Sequence, residues 1–238
     1  MTGCEILEWD SDFLGRLIVR VDAQALQAAG AAAVEEWCNG QRAECAYLLV
    51  GADDQRTLDL AQASGFRLVD LRITLAGEAS PRAPSGPPRD HTVRPLRPED
   101  IPALRAIARE SHHDTRFYAD PHFDRQRCDD LYDLWIAKSC QGWADQVLVA
   151  VQGEAPVGYV TCHLRPDEGQ IGLVGVAKAS RGHGCAGTMI DETLRWFAQH
   201  GTARVSVATQ GRNAAGLRLY QRAGLSVRSI ECSFHRWF

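Results

Sequence analysis

The chemistry-bearing stretch of this chain is RGHGCAG, Arg181 to Gly187, which spells Gly182-x-Gly184-x-x-Gly187. Glycines at that spacing let a ligand approach the backbone closely, and a helix starting just after them turns its N–H groups and positive dipole end toward an anion. A dinucleotide site needs an acid at the end of the next strand to hold a ribose hydroxyl, and that strand ends Val207-Ala208-Thr209-Gln210. A nucleoside-triphosphate loop needs Gly-Lys-Ser/Thr, which is missing. What remains is a pyrophosphate held by the amides of His183 to Thr188, with the charge of Arg181 beside it. A second group of reactive side chains is SHHDTRFYADPHF, Ser111 to Phe123. Here Arg116 suits a diphosphate, and Phe117, Tyr118 and Phe123 suit stacking on a base or sugar. His112-His113-Asp114 is a poor metal motif, because adjacent histidines rarely share one ion and no distant partner is evident, so no metal is expected.

These residues need elements to hold them. Val93 to Leu96 reads as a strand, and Pro98-Glu99-Asp100 opens a helix whose apolar face is Ile101, Leu104, Ile107 and Ala108. Val147 to Val151 and Val157 to Leu164 read as a hairpin about Gly153-Glu154, and Ile171 to Val176 as a further strand. A helix follows from about Ala186 to Gln199, stopped by Gly201. Arg204 to Thr209 is a strand, Ala214 to Arg222 a helix, and Val227 to Phe234 strand again. The pattern is an α/β fold with antiparallel hairpins ahead of the central helix.

Residues 78–92, EASPRAPSGPPRDHT, carry four of the ten prolines and almost no large apolar side chain. They read as an exposed linker between residues 1–77 and 93–238. The chain has 238 residues and a net charge of −4, which argues against a nucleic-acid surface. It shows neither a membrane-length apolar run nor a signal peptide, so a cytoplasmic location without membrane insertion is expected. Its eight cysteines, none in a C-x-x-C pair, read as reduced thiols.

Val176 to Ala186 resembles the acetyl-CoA loop of the GCN5-related N-acetyltransferases (GNAT), with Arg181, Gly184 and Ala186 at the signature positions. Asn213, Tyr220 and Gly224-Leu225 stand at the spacing of that family's second element, with Gly216 where alanine is usual, a change expected only to loosen helix packing. The resemblance covers 93–238. It implies a mixed sheet flanked by helices, acetyl-CoA as co-substrate, and a cofactor site at Gly175, Val176, Arg181, Gly182, His183, Gly184, Cys185, Ala186, Gly187, Thr188 and Asn213. It also implies that the Val176 N–H polarises the acetyl carbonyl and that Tyr220 is the acid for the leaving thiolate. No base is singled out among His113, His163 and Glu168. Trp9 to Val21, Arg116 to Ile136 and Ser206 to Gly224 further resemble members that N-acetylate dTDP-linked 4-amino-4,6-dideoxygalactose for surface polysaccharides. That implies a nucleotide-sugar acceptor at Arg116, Phe117, Tyr118 and Phe123.

In residues 1–77, Leu49 to Leu75 echoes the second element, with Asp54 at the place of Asn213 and Ala61 at that of Tyr220. This half is expected to be a smaller, reduced GNAT-like α/β domain without acid or phosphate loop. Two other readings stay open: the same chemistry on another amine (an amino acid, an antibiotic or a protein N-terminus), and a non-catalytic acyl-CoA-binding module. A homodimer is neither required nor excluded.

Overall fold

The computed structural model describes residues 1–80 and 90–238. The first half runs β1 (Cys4–Ile6), α1 (Glu8–Leu14), β2 (Ile18–Asp22), α2 (Ala23–Gln41), β3 (Cys45–Gly51), α3 (Gln55–Ala63) and β4 (Arg67–Glu78). The second runs β5 (Thr92–Pro95), a 3-10 turn at Pro98–Asp100, then α4 (Ile101–Arg109), α5 (Arg116–Ala119) and α6 (Arg125–Lys138). It continues with β6 (Gln146–Gln152), β7 (Ala155–Leu164), β8 (Gly169–Val176), α7 (Cys185–Gln199), β9 (Arg204–Gln210), α8 (Ala214–Arg222) and β10 (Ser226–Trp237). The elements read from periodicity in 93–238 lie where the sequence puts them. The segment between α4 and β6, which has no such periodicity, holds α5, α6 and a one-turn π-helix at Ser139–Trp143.

Among the described residues, ten strands form one mixed sheet in the order β1-β2-β3-β10-β4-β9-β8-β7-β6-β5. The division expected at 78–92 therefore does not separate two sheets. β4 belongs to the first half yet pairs with β9 along Arg72–Glu78 and with β10, while β10 lies between β3 and β4. Residues 81–89 of the expected linker lie outside the described residues.

The two halves repeat one connectivity. A strand pairs parallel to the next through a helix (β2-α2-β3 and β8-α7-β9), and each run then adds a helix and a strand (α3-β4 and α8-β10). The echo noted above becomes concrete here. Asp54 caps α3 by accepting from the Thr57 N–H at 3.1 Å, as Asn213 caps α8 by accepting from Gly216 at 2.8 Å. The Phe66 N–H reaches the Ala61 carbonyl, and the Leu225 N–H that of Tyr220, both at 3.0 Å.

Both faces of the sheet are covered. One face packs Leu194, Met189 and Phe197 of α7 on Val160, Ile171 and Val207, and Leu26 and Val34 of α2 on Val21, Leu48 and Phe234. The other packs Leu104 and Ile107 of α4 and Leu131 and Ile136 of α6 on Val147, Val149 and Tyr159. Each such fully buried side chain contributes roughly 1.5–3 kcal/mol. Asp133 of α6 binds Arg105 at 2.7 Å and Arg109 at 2.7 Å, which fixes α6 against α4. The hydrogen bond from Arg105 holds its carboxyl below the usual range, against burial.

Candidate active site

The opening that defines the site comes from strand pairing. β8 and β9 pair only at Gly169–Ile171 against Val205–Val207. Past Ile171 the strands part, while β8 stays paired to β7 as far as Val176. Ala177 donates to the Val157 carbonyl at 2.8 Å, so the facing residues Gly158 and Val176 form a pair whose own groups point away from each other. The Val176 N–H thus faces the opening, and its carbonyl accepts from Arg181 Nε at 3.0 Å. By the same alternation Gly175 turns its backbone groups to β7, so it offers no donor to the opening. Its place requires glycine for another reason: a Cβ there lies 2.6 Å from the Tyr159 ring.

The loop after β8 reverses through Gly182 (φ 84°) and Gly184 (φ 79°), the latter capping α7. A side chain at either position is strained. A cleft of about 720 Å³ is bounded by this loop, by Val174 and Val176 of β8, and by Asn213, Gly216 and Tyr220 on α8. Arg181, Gly182, Gly184, Cys185, Ala186 and Gly187 line it. The amides of Ala186 and Gly187 fall in the first turn of α7, where no residue four back in the helix accepts them. Arg218 and Arg222 of α8 add positive charge that the sequence reading missed. Their spacing of four along one helix face was the available signal.

Around the cleft, several of the residues expected to hold the cofactor also have structural partners. His183 is exposed and does not line the cleft. The Thr188 N–H is taken by the Gly184 carbonyl at 3.2 Å, the first full turn of the helix, and its hydroxyl lies 3.1 Å from His91 Nε2. Arg181 lines the cleft but folds back onto the backbone, its guanidinium reaching the Glu110 carbonyl at 3.1 Å. It ties the end of α4 to the end of β8. Asn213 uses its oxygen on the Gly216 N–H and its amide nitrogen on Thr209 Oγ1 at 3.0 Å, so it builds the start of α8. Gly216 makes room for that cap, since a Cβ there lies 2.6 Å from Asn213 Nδ2. Its effect is therefore larger than a loosened helix. Tyr220 is buried, which pushes its hydroxyl pKa up and keeps the proton on the oxygen.

The segment Ser111 to Phe123 packs inward more than expected. Phe117, Tyr118 and Phe123 are 5%, 8% and 5% exposed. Tyr118 donates to Asp129 Oδ1 at 2.5 Å, and Phe123 packs edge-on against His235 and Trp237. The single turn of α5 directs Tyr118 to the core and the contacts with His235 and Trp237 hold Phe123 there, whereas Phe117 also borders a cavity. Arg116 sits over the rings of Tyr47 (4.6 Å) and Phe117 (4.8 Å), and its Nε is buried without a partner.

His112 and His113 point apart. His112 stacks on Tyr132 at 4.6 Å and meets the Tyr159 hydroxyl at 3.0 Å, and burial lowers its pKa to about 4. His113 lies 3.1 Å from the Arg109 carbonyl. Among the described residues no three histidine, cysteine or acidic side chains form a metal-holding group. Glu168 accepts from Ser206 at 2.6 Å and binds Arg228 at 2.6 Å, which holds its carboxyl down. His163 is buried, which lowers its pKa, and a Cβ on Gly172 lies 2.8 Å from its Nε2. It therefore borders the strand opening. Among the described residues no helix is long and apolar enough to cross a membrane.

A splayed strand pair, a glycine loop and a helix N-terminus together match one known architecture. The sequence profile of the Acetyltransferase (GNAT) family matches residues 103–225. The chain belongs to that family. GNAT enzymes use acetyl-CoA, and this chain is an N-acetyltransferase with the GNAT mixed α/β fold. It is 29% identical over 98% of its length to the dTDP-fucosamine acetyltransferase of Escherichia coli O6:H1 (strain CFT073), covering 97% of that protein. It is 26% identical over 60% of its length to the spore coat polysaccharide biosynthesis protein SpsD of Bacillus subtilis (strain 168), covering 50% of that protein. A solved GCN5-related N-acetyltransferase from Sphaerobacter thermophilus superposes with a TM-score of 0.72 at 22% identity, over 98% of this chain and 76% of the other. That last likeness concerns the fold alone.

Proposed function

We propose that this GNAT enzyme acetylates the amino group of a dTDP-linked amino-deoxyhexose, dTDP-4-amino-4,6-dideoxygalactose, in the cytoplasm during surface polysaccharide synthesis. The acceptor reading is supported by a similarity that spans nearly the whole chain of a dTDP-fucosamine acetyltransferase, first half included. The transfer reading rests on one observation: Val176, on the unpaired stretch of β8 that faces the β8–β9 opening, and Tyr220 of α8 line the same loop cleft.

The donor set suits acetyl-CoA. Positive-φ glycines, first-turn amides of α7 and two α8 arginines provide close backbone approach and positive potential for its phosphates. Bound there, it supplies an activated thioester. The Val176 N–H donates to the acetyl oxygen, a one-donor oxyanion site. As the amine nitrogen bonds the acetyl carbon and the C–S bond breaks, Tyr220 would give its phenol proton to the departing sulfur, and the proton shed by the nitrogen passes to solvent, from which the phenol is restored. The rest of the catalysis is orientation. We read residues 1–77 as a reduced GNAT-like half that walls the acceptor side.

Thiol release from acetyl-CoA, measured across a panel of amines, tests the reading. Release is expected with the dTDP-4-amino sugar. Release with other amines and none with any dTDP-amino-sugar rejects the acceptor. No release with any amine rejects the transfer reading.

A further inference from the structure

A cavity of about 650 Å³ lies between α1 and the end of α6, on the sheet face opposite α7. Its walls are aromatic. Trp9 of α1 is 38% exposed and stands 6.3 Å from Trp135 of α6, and Trp143 is 57% exposed. Leaving two tryptophans this open has a hydrophobic cost that a flat ligand removes. Trp143 ends the π-turn, where Gly142 (φ 103°) reverses the chain and sets the ring at the rim. Such turns often mark functional sites.

The polar groups of the cavity favour an anion with a ring attached. Lys138 lies 5.0 Å from the Trp9 ring centre, and Arg116 brings its guanidinium, with the buried unpartnered Nε, to the same wall. These two cations face one acid, Asp10, whose carboxyl is raised by burial and lowered in part by Arg116. Gln141 adds a carboxamide, whose adjacent donor and acceptor match the imide edge of a pyrimidine-dione. The cavity rim also contacts a residue beside the strand opening. Trp143 meets His163 edge-on at 6.0 Å, and His163 borders Gly172 in the β8–β9 opening.

We infer that this cavity binds the pyrimidine nucleoside diphosphate end of the acceptor, its base among Trp9, Trp135 and Trp143 and its diphosphate on Arg116 and Lys138. The inference rests on the acceptor class proposed above and locates its handle. It gives α1, and with it the first half of the chain, a direct part in substrate selection.

The test titrates dTDP onto the full chain saturated with CoA, followed by calorimetry and tryptophan fluorescence. Saturable quenching is expected, with ADP binding much more weakly. Stacking on an aromatic side chain is worth about 1–3 kcal/mol per base, so Trp143→Ala should weaken dTDP about tenfold or more. Lys138→Gln should weaken it by a similar factor, and both should raise the acceptor KM. The acetyl-CoA KM should not change, because neither side chain borders the loop cleft, and the Tm should fall by no more than roughly 4 °C, because Trp143 is exposed and Lys138 half-buried. Unaltered dTDP affinity in both variants overturns the inference, and equal binding of ADP overturns the pyrimidine assignment. Substitution-sensitive dTDP binding without acetylation of any dTDP-amino-sugar removes the proposed acceptor and leaves the cavity standing. Acetylation of such a sugar with wild-type KM in both variants does the reverse.

Discussion

At the scale of single residues, Tyr220 and His112 carry sharp expectations. The phenol of Tyr220 touches little but core and cleft, and burial raises its pKa above the ordinary 10.0. Tyr220→Phe keeps the packing and removes the proton, so kcat should fall by about 100-fold while the acetyl-CoA KM stays within about threefold. Single-turnover kinetics will separate this from a binding defect. The wild-type kcat should show no loss from Tyr220 as pH rises to about 9, because the acid form persists there. His112 behaves oppositely. Its folded pKa of about 4 lies below the ordinary 6.5, so the unfolded chain takes up the proton first as pH falls. Its contribution is full above pH 6.5 and is lost progressively toward pH 4, by at most a few kcal/mol. Denaturant titrations should show that slope, and His112→Asn, which tolerates the left-handed backbone at φ 62°, should flatten it.

At the scale of elements, the starts of α7 and α8 separate binding from stability. Gly184→Ala places a Cβ at φ 79°, a strain of about 1–2 kcal/mol. It also narrows the approach of a phosphate to the first-turn amides. Calorimetry should show acetyl-CoA affinity reduced by about tenfold or more. Asn213→Ala removes the α8 cap and leaves Thr209 without that amide. This should cost about 1 kcal/mol and lower Tm by roughly 2–4 °C in a chain of this size, which calorimetric melting can check. The glycine loop was legible because phosphate approach, chain reversal and helix start all select the same residue type. The division of labour within it was not. Which amides remain for a ligand depends on the α-helical ladder and on the carbonyls within reach of Arg181.

At the scale of the whole molecule, the halves are joined by exchanged strands. β10 fills the gap between β3 and β4, and β4 in turn lies between β10 and β9. A fragment of residues 1–80 therefore lacks the strand that joins its own sheet. Expressed alone, it should show no cooperative thermal transition by circular dichroism, whereas the full chain should melt as one unit. A stable, cooperative 1–80 fragment would refute this reading of the sheet.

From the sequence alone came the elements of 93–238 outside the stretch between α4 and β6, the glycine loop ahead of α7, and the echo of Asp54 and Ala61 in the first half. The elements and the loop follow from local rules of periodicity, capping and turn geometry, which act over a few residues, whereas Tyr220 and the echo were implied by the family resemblance. Only the tertiary structure decided that the first half shares its sheet with the second, because strand pairing over more than a hundred residues leaves no local pattern. It also decided that Tyr118 and Phe123 face the core while Trp9, Phe117 and Trp143 border a cavity. An aromatic side chain reads the same in sequence whichever way its backbone turns. For Tyr118 that direction is set by the single turn of α5, and for Trp143 by the π-turn at Gly142.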